Sequence, residues 1–238
     1  MTAITALTAQ NTQGVFGVIG VPPDFIRQQM RLVLTDIGAD CIKLGMLHDA
    51  AVIDAVADVL EQEGRGIPLV VDPVMVAKGG APLLAPDAVD GLKRRIPRLA
   101  TILTPNIPEA EALTGVAIRD PESMRHAAEM LPTLGAEAVL LKGGHMAGET
   151  VCDLLVTDQG VEEIRAPRIE TPHTHGTGCT LASAIATGLA QGLPLPRAVR
   201  RAAAYVHEAI ATAPGFGHGH GPLNHVHTVR PFPGPDAG

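Results

Sequence analysis

Short apolar runs with little polar alternation, set between segments of helical periodicity, are what most constrain this chain. Residues 41–46, 69–72, 101–104 and 138–142 each read as a strand. Strands that are apolar on both faces must be covered on both faces, which alternating helices achieve. Pro22-Pro23-Asp24 opens a helix whose Ile26, Met30, Val33, Leu34 and Ile37 follow helical spacing. Asp49 caps another, with Val52, Ile53, Val56, Val59 and Leu60 on one face. Further helices are expected over 86–96, 107–113 and 121–134, the last two stopped by Gly115 and Gly135. The alternation implies an α/β fold, with a mostly parallel sheet and helices on both faces. Residues 2–9 read as one more strand. Later the pattern changes: 152–157 and 162–166, joined by Asp158-Gln159-Gly160, read as an antiparallel hairpin. Two Ala-rich helices follow over 178–191 and 196–212. With no repeat and no internal linker, one domain is expected over 1–227, followed by a disordered tail, 228–238.

Composition narrows the function classes. Of 238 residues, 18 are Lys or Arg and 25 are Asp or Glu, a net charge of −7, and no basic run appears. Nucleic acid is therefore not an expected partner. Aromatic residues are only 2%, which leaves no platform for stacking bases. Three cysteines without a CxxC pair argue for a reducing, cytoplasmic setting. The uncharged opening lacks a basic n-region and carries Thr, Gln and Asn, so neither a secretory signal nor a membrane span is expected.

In an open parallel sheet, ligands bind beyond the carboxyl ends of the strands. Polar residues stand there in a row: Lys43 to Met46, Asp72, Asn106 and Lys142. The sharpest segment is Thr174-His175-Gly176-Thr177-Gly178-Cys179, at the start of a helix. Its two glycines allow main-chain N–H groups to converge on an anion where the helix dipole favours negative charge. Such a hole suits a transferring phosphoryl group. It has no GK[ST], and no GxGxxG follows any strand. Cys179 in the first helical turn is expected to have a lowered thiol pKa and to serve as a base. Simpler accounts stand beside these. Gly176 and Gly178 make a tight turn and Cys179 is a small core residue; Asn106 and Glu109 form a capping box; Asp72-Pro73 ends a strand in a turn. Lys142, as a charged strand-end residue, is expected at the surface, so its removal should spare the fold. His218, His220, His225 and His227 count like metal ligands but lie in the Gly/Pro-rich tail without acidic or cysteine partners, as a mobile surface segment would.

Taken together and in order, residues 1–12, Lys43-Leu44-Gly45-Met46-Leu47, Val71-Asp72-Pro73-Val74-Met75, Thr104-Pro105-Asn106, Lys142-Gly143-Gly144-His145, Thr174 to Cys179 and His220-Gly221-Pro222-Leu223-Asn224-His225 resemble the hydroxymethylpyrimidine/phosphomethylpyrimidine kinases, of the ribokinase-like superfamily. The resemblance runs from Met1 to about His227. It implies ATP and Mg²⁺ as cofactors and two successive phosphorylations, of 4-amino-5-hydroxymethyl-2-methylpyrimidine and then of its monophosphate, in thiamine biosynthesis. It implies that Gln10, Thr8 and Met46 bind the pyrimidine, and that Lys142, Thr174 and Asn106 serve the nucleotide. Asp72 and Glu109 would hold the metal; Gly176, Thr177 and Gly178 would form the anion hole, with Cys179 activating the hydroxyl. A homodimer is implied as well. The family carries an upstream strand, Gly/Ser-rich loop and helix. Met1 falls after that unit, so either a start assigned late at an internal Met or a truncation is expected. The alternatives are a pyridoxine/pyridoxal kinase, against which the Gln10 segment argues, and a catalytically impaired ligand-binding member of the fold. A Cys179–His175 hydrolase has no distinct orienting acid.

Overall fold

The structure, a computed structural model, describes residues 1–77, 80 and 82–229. Strands β1 (Ala6–Asn11) and β2 (Gly14–Gly20) pair antiparallel as a hairpin of their own. The expected strand at 2–9 thus starts later and does not enter the central sheet. Its partner β2 was not anticipated, because Gly14, Gly17 and Gly20 dilute its strand signal. Asn11 makes the turn: its Oδ1 accepts from the amides of Gln13 (2.8 Å) and Gly14 (3.3 Å).

The central sheet has six strands: β3 (Ile42–Leu44), β4 (Leu69–Val71), β5 (Ile102–Leu103), β6 (Val139–Leu141), β7 (Thr150–Thr157) and β8 (Gly160–Pro167). Their spatial order follows the chain. β3 to β6 run parallel, while β7 and β8 return antiparallel as the expected hairpin. Helices α1 (Pro23–Asp36), α2 (Ala50–Glu63), α3 (Val89–Arg95), α4 (Ile107–Thr114) and α5 (Pro121–Met130) supply one layer. Helices α6 (Thr177–Ala190) and α7 (Leu195–Ala211) form the other.

The period-2 alternation of the strands divides the core. Val70, Ile102, Leu140 and Leu155 pack with Leu181, Ile185, Val199 and Val206 of α6 and α7. Val71, Leu103, Leu141 and Leu154 face the opposite layer, with Ile53 and Val56 of α2 and Leu113 of α4. Each such side chain, fully buried, contributes roughly 1.5–3 kcal/mol relative to exposure. Two expected helices are α-helical over less than their expected spans: 86–96 begins with a 3₁₀ turn at Pro86–Ala88, and 121–134 closes with another at Leu131–Leu134. Among the described residues, no helix is long and apolar enough to cross a membrane. Of the tail expected at 228–238, residues 230–238 lie outside the described residues.

Hydrogen bonding continues past the strand ends. Asp72 N donates to Leu44 O (3.1 Å), Thr104 N to Val71 O (2.8 Å) and Lys142 N to Pro105 O (2.8 Å). These bonds align the residues that follow β4, β5 and β6 at one edge of the sheet.

Candidate active site

At that edge Lys142 Nζ donates to Asp72 Oδ1 at 2.8 Å, and the two side chains are only 12% and 3% exposed. Asn106, after β5, caps α4: its Oδ1 accepts from Glu109 N (2.9 Å), and Glu109 Oε2 accepts from Asn106 N (2.8 Å). The capping box is therefore real, but it does not exhaust the role of Glu109. That carboxylate is buried and lies in the field of Lys142 and Asp72. Burial raises its pKa above the usual carboxylate range, with Lys142 pulling the other way. For Lys142, burial alone would lower the pKa, but Asp72 and Glu109 outweigh it and hold the ammonium above its ordinary value. The result is a shielded cation flanked by two carboxylates, one after β4 and one in the first turn of α4.

The start of α6 closes on this group. Gly176, its N-cap, has φ +84°, in the left-handed region that glycine tolerates. Thr177 Oγ1 donates back to Thr174 O at 2.7 Å, and no side chain caps the helix. The Thr177 amide turns back to Thr174 O at 3.4 Å, while those of Gly178 and Cys179 are left for a ligand. A Cβ at Gly178 would stand 3.1 Å from Lys142 Nζ and 3.6 Å from Asp72 Oδ2, so the glycine is what lets the helix end approach the ion pair. Cys179 follows. The helix terminus alone is expected to lower its thiol; the surroundings reverse that. Burial among the strand-end groups pushes the thiol up, and Asp72 adds to the effect, against the pull of Lys43 and Lys142. The residue as a whole still reaches solvent.

Two positioning residues, Asp153 and Arg168, carry no local signal in the sequence. Asp153 on β7 accepts from Gly143 N at 2.8 Å, which fixes the backbone immediately after Lys142. A Cβ at Gly143 would meet Cys152 O at 1.9 Å, so this crossing accepts only glycine. Arg168 spreads its guanidinium over the carbonyls of Gly144, Met146 and Gly148, holding the rest of that loop. Lys43, seen only as one polar residue at a strand end, is the largest charge acting to stabilise a Cys179 thiolate.

The β1–β2 hairpin rises as a flap from the same edge, beside the end of β3. Its base is tied by Thr5 Oγ1, which donates to Met46 O at 2.7 Å. Thr8 and Gln10 stand exposed on β1, paired with Val18 and Val15. The structure therefore gathers Asp72, Asn106, Glu109, Lys142, Gly178 and Cys179 into one cluster, with Thr174 in the loop before α6, Gly176 at its N-cap and Thr177 at its first position. It places Thr8 and Gln10 apart on the flap and Met46 at its root.

A sequence profile described as phosphomethylpyrimidine kinase matches residues 1–224. The chain belongs to the phosphomethylpyrimidine kinase family. It is 54% identical over 208 residues to the thiamine biosynthesis bifunctional protein ThiED of Geobacter sulfurreducens, covering 87% of this chain but only 42% of that protein. It is 46% identical over 209 residues to the hydroxymethylpyrimidine/phosphomethylpyrimidine kinase of Haemophilus influenzae, covering 86% of this chain and 77% of the relative. Among solved structures, a Bacillus subtilis pyridoxal kinase in complex with ADP superposes with a TM-score of 0.87. There the identity is 32%, over 95% of this chain and 86% of that one. The ribokinase-like fold expected from the ordered motifs is thereby established, and the higher sequence identities lie with the pyrimidine kinases.

Proposed function

We propose that this chain uses ATP to phosphorylate 4-amino-5-hydroxymethyl-2-methylpyrimidine, and then its monophosphate to the diphosphate, in thiamine biosynthesis. The observation that carries the reading is the packing of the Lys142–Asp72 pair against Gly178 at the uncapped start of α6. This brings a fixed cation and free main-chain donors to one point, as stabilisation of a transferring phosphoryl group requires. In the first step the substrate hydroxyl oxygen forms a bond to the γ-phosphorus of ATP. The bond from that phosphorus to the β–γ bridging oxygen breaks, and ADP leaves. The hydroxyl proton passes to the thiolate form of Cys179, which Lys43 and Lys142 favour against burial and Asp72. Lys142 holds the phosphates, Asn106 and Thr174 border them, and Gly176, Thr177 and Gly178 present the amides. Gln10, Thr8 and Met46 receive the pyrimidine ring under the flap.

Asp72 and Glu109 fit a Mg²⁺ ion that arrives with the nucleotide. Among the described residues, no group of three or more His, Cys, Asp or Glu is placed to hold a metal on its own. Two hard carboxylates suit Mg²⁺, which takes its remaining ligands from phosphate oxygens and water. When bound, the ion neutralises charge that builds on the phosphates.

The three free cysteines support a reducing, cytoplasmic setting. A homodimer belongs to the same reading. Leu7 and Ile19, paired across the flap, are 57% and 70% exposed, an apolar face suited to a second copy. Sedimentation at micromolar concentration tests it; a monomer there ends that part of the reading.

The activity is tested by following ATP-dependent formation of each pyrimidine phosphate, with pyridoxal as the competing acceptor. Mono- and diphosphate products are expected. A higher kcat/KM on pyridoxal than on the pyrimidines would overturn the reading.

A further inference from the structure

The Gly-His-Gly-His-Gly run, 217–221, reads from sequence as a mobile surface segment, yet the structure fixes it between two parts of the active site. On one side it grips the flap tip. His220 N donates to Thr12 O at 2.7 Å and His218 N to Thr12 Oγ1 at 3.2 Å. On the other side it grips the loop that leads into the anion hole. His175 N donates to Gly221 O at 3.1 Å, and His220 Nδ1 lies 3.1 Å from Pro172 O, where only the ring nitrogen can donate. The far end is anchored on α7: Leu223 is buried, and Asn224 N donates to Ala209 O at 2.9 Å.

The glycines explain how one short segment serves both contacts. A Cβ at Gly217 would stand 2.3 Å from Thr12 Oγ1, and one at Gly219 would stand 2.2 Å from Thr12 O. A Cβ at Gly221 would stand 2.3 Å from His173 Nδ1. All three distances are well inside van der Waals contact, so the strap backbone reaches the Thr12 carbonyl and the Thr12 and His173 side chains only because every second residue lacks a side chain. The intervening residues supply the amides at Thr12 and the ring contact at Pro172.

We propose that residues 216–222 are a positioning strap that sets the flap, with its pyrimidine-binding residues, in register with the anion-hole loop. The inference rests on the kinase reading, because it assigns acceptor binding to the flap and phosphate binding to the loop. Through Thr12 the strap fixes where the acceptor sits. Through His175 and Pro172 it fixes where the phosphoryl group sits. None of its residues needs to touch a substrate.

Gly219→Ala and Gly221→Ala separate the two grips. In Gly219→Ala, the KM for the hydroxymethylpyrimidine should rise about tenfold or more, with the KM for ATP within about twofold of the parent. Gly221→Ala should lower kcat for both steps by a similar factor, because the anion-hole loop itself is displaced. Hydrogen exchange supplies a readout that needs no activity. Amides at 12–18 should exchange faster in Gly219→Ala, and those at 173–178 faster in Gly221→Ala, while helices α2 and α5 stay protected. A segment that merely stabilised the fold would lower the melting temperature and loosen all elements alike, without splitting the two KM values; that result overturns the proposal. Unchanged exchange at both places in both variants also overturns it. If the parent chain itself phosphorylates neither pyrimidine, the kinase reading fails, and the exchange pattern still decides whether the strap holds flap and loop.

Discussion

Lys142 Nζ and Asp72 Oδ1 meet at 2.8 Å across 70 residues of sequence, in a site almost closed to solvent. Asp72 follows β4 and Lys142 follows β6, so the pair spans the edge of the sheet over β5. Glu109 lies in the same field, and Gly178 comes within reach of both partners. The relationship makes Lys142, the lysine proposed to hold the phosphates, a structural element too, which changes what its removal should do.

Lys142→Ala should destabilise the fold as well as slow turnover, contrary to what a charged strand-end residue suggests by its position alone. Removing the cation leaves Asp72 and Glu109 as uncompensated buried carboxylates, a cost of about 3–5 kcal/mol. The double variant Asp72→Asn/Lys142→Met removes one charge of each sign and keeps the volume filled, so it should recover most of that loss while remaining inactive. Denaturant unfolding of both variants checks this. A Lys142→Ala protein within about 1 kcal/mol of the parent would show that the pair is solvated and energetically idle.

A second ion cluster predicts how stability depends on pH. Arg95 on α3 contacts Asp54 (3.0 Å), Asp58 (2.9 Å) and Glu61 (3.3 Å) of α2, and Arg98 contacts Glu61 (2.7 Å). Hydrogen bonding to Arg95 lowers the pKa of Asp58, and hydrogen bonding to Arg98 lowers that of Glu61. Carboxylates with depressed folded-state values add stability above their unfolded values and lose it as pH falls through the folded ones. The contribution should therefore be full at neutral pH and fade below about pH 5. Asp58 is 37% exposed and Glu61 34%, so solvent screening limits the total to about 1 kcal/mol. Arg95→Met should lower stability at neutral pH, and the difference from the parent should fade as pH falls through the acid range and shrink in 1 M salt. A difference that instead grew as pH fell would show that the carboxylates are not held ionised by Arg95.

The fold was legible where burial dictates sequence. Leu69-Val70-Val71 and Val139-Leu140-Leu141 are apolar throughout because both faces are covered, and the helices between them repeat at helical spacing. It was illegible where glycine replaces pattern. β2 carries three glycines in seven residues, and residues 217–221 alternate glycine with histidine, so neither reads as ordered structure. The site divides in the same way. Lys142, Asp72 and the glycines beside Cys179 could be singled out because each ends or starts an element. Asp153 and Arg168 could not, since each acts on the Gly143–Gly148 backbone from a later part of the chain. The thiol pKa of Cys179 departs from what its helix position alone implies for a related reason. Helix position is local, whereas the groups that raise its pKa come from elsewhere in the sequence.

Asp153 offers a test of support for Lys142 without touching it. Asp153→Ala leaves the Gly143 amide without its acceptor, at a cost of about 1–3 kcal/mol. The loop after Lys142 should loosen, and the KM for ATP should rise more than the KM for either pyrimidine. Asp153→Asn retains a carbonyl oxygen at the same place and should restore ATP binding. If Asn rescues stability but not the KM for ATP, the carboxylate acts through its charge, and the hydrogen bond to Gly143 is incidental to nucleotide binding.

Cys179 is tested by comparing the two proposed reactions. In the first, an alcohol must lose its proton as the new P–O bond forms, and a positioned base should help by about 10²–10⁴-fold. In the second, the nucleophile is a phosphate monoester whose second pKa of about 6 leaves it mostly dianionic at neutral pH, so no base is required. Cys179→Ala should therefore cripple the alcohol step far more than the phosphate step. Cys179→Ser should do the same, because a hydroxyl is too weakly acidic to stand in for a thiolate even beside Lys43 and Lys142. The raised thiol pKa sharpens the contrast: a thiolate here depends on those two lysines, so Lys43→Met should reproduce the selective loss in the alcohol step. Turnover of each pyrimidine at saturating ATP gives the answer. Equal losses in both steps would mean that Cys179 shapes the anion hole and takes no proton. No loss in either would reduce it to an ordinary residue of the first helical turn.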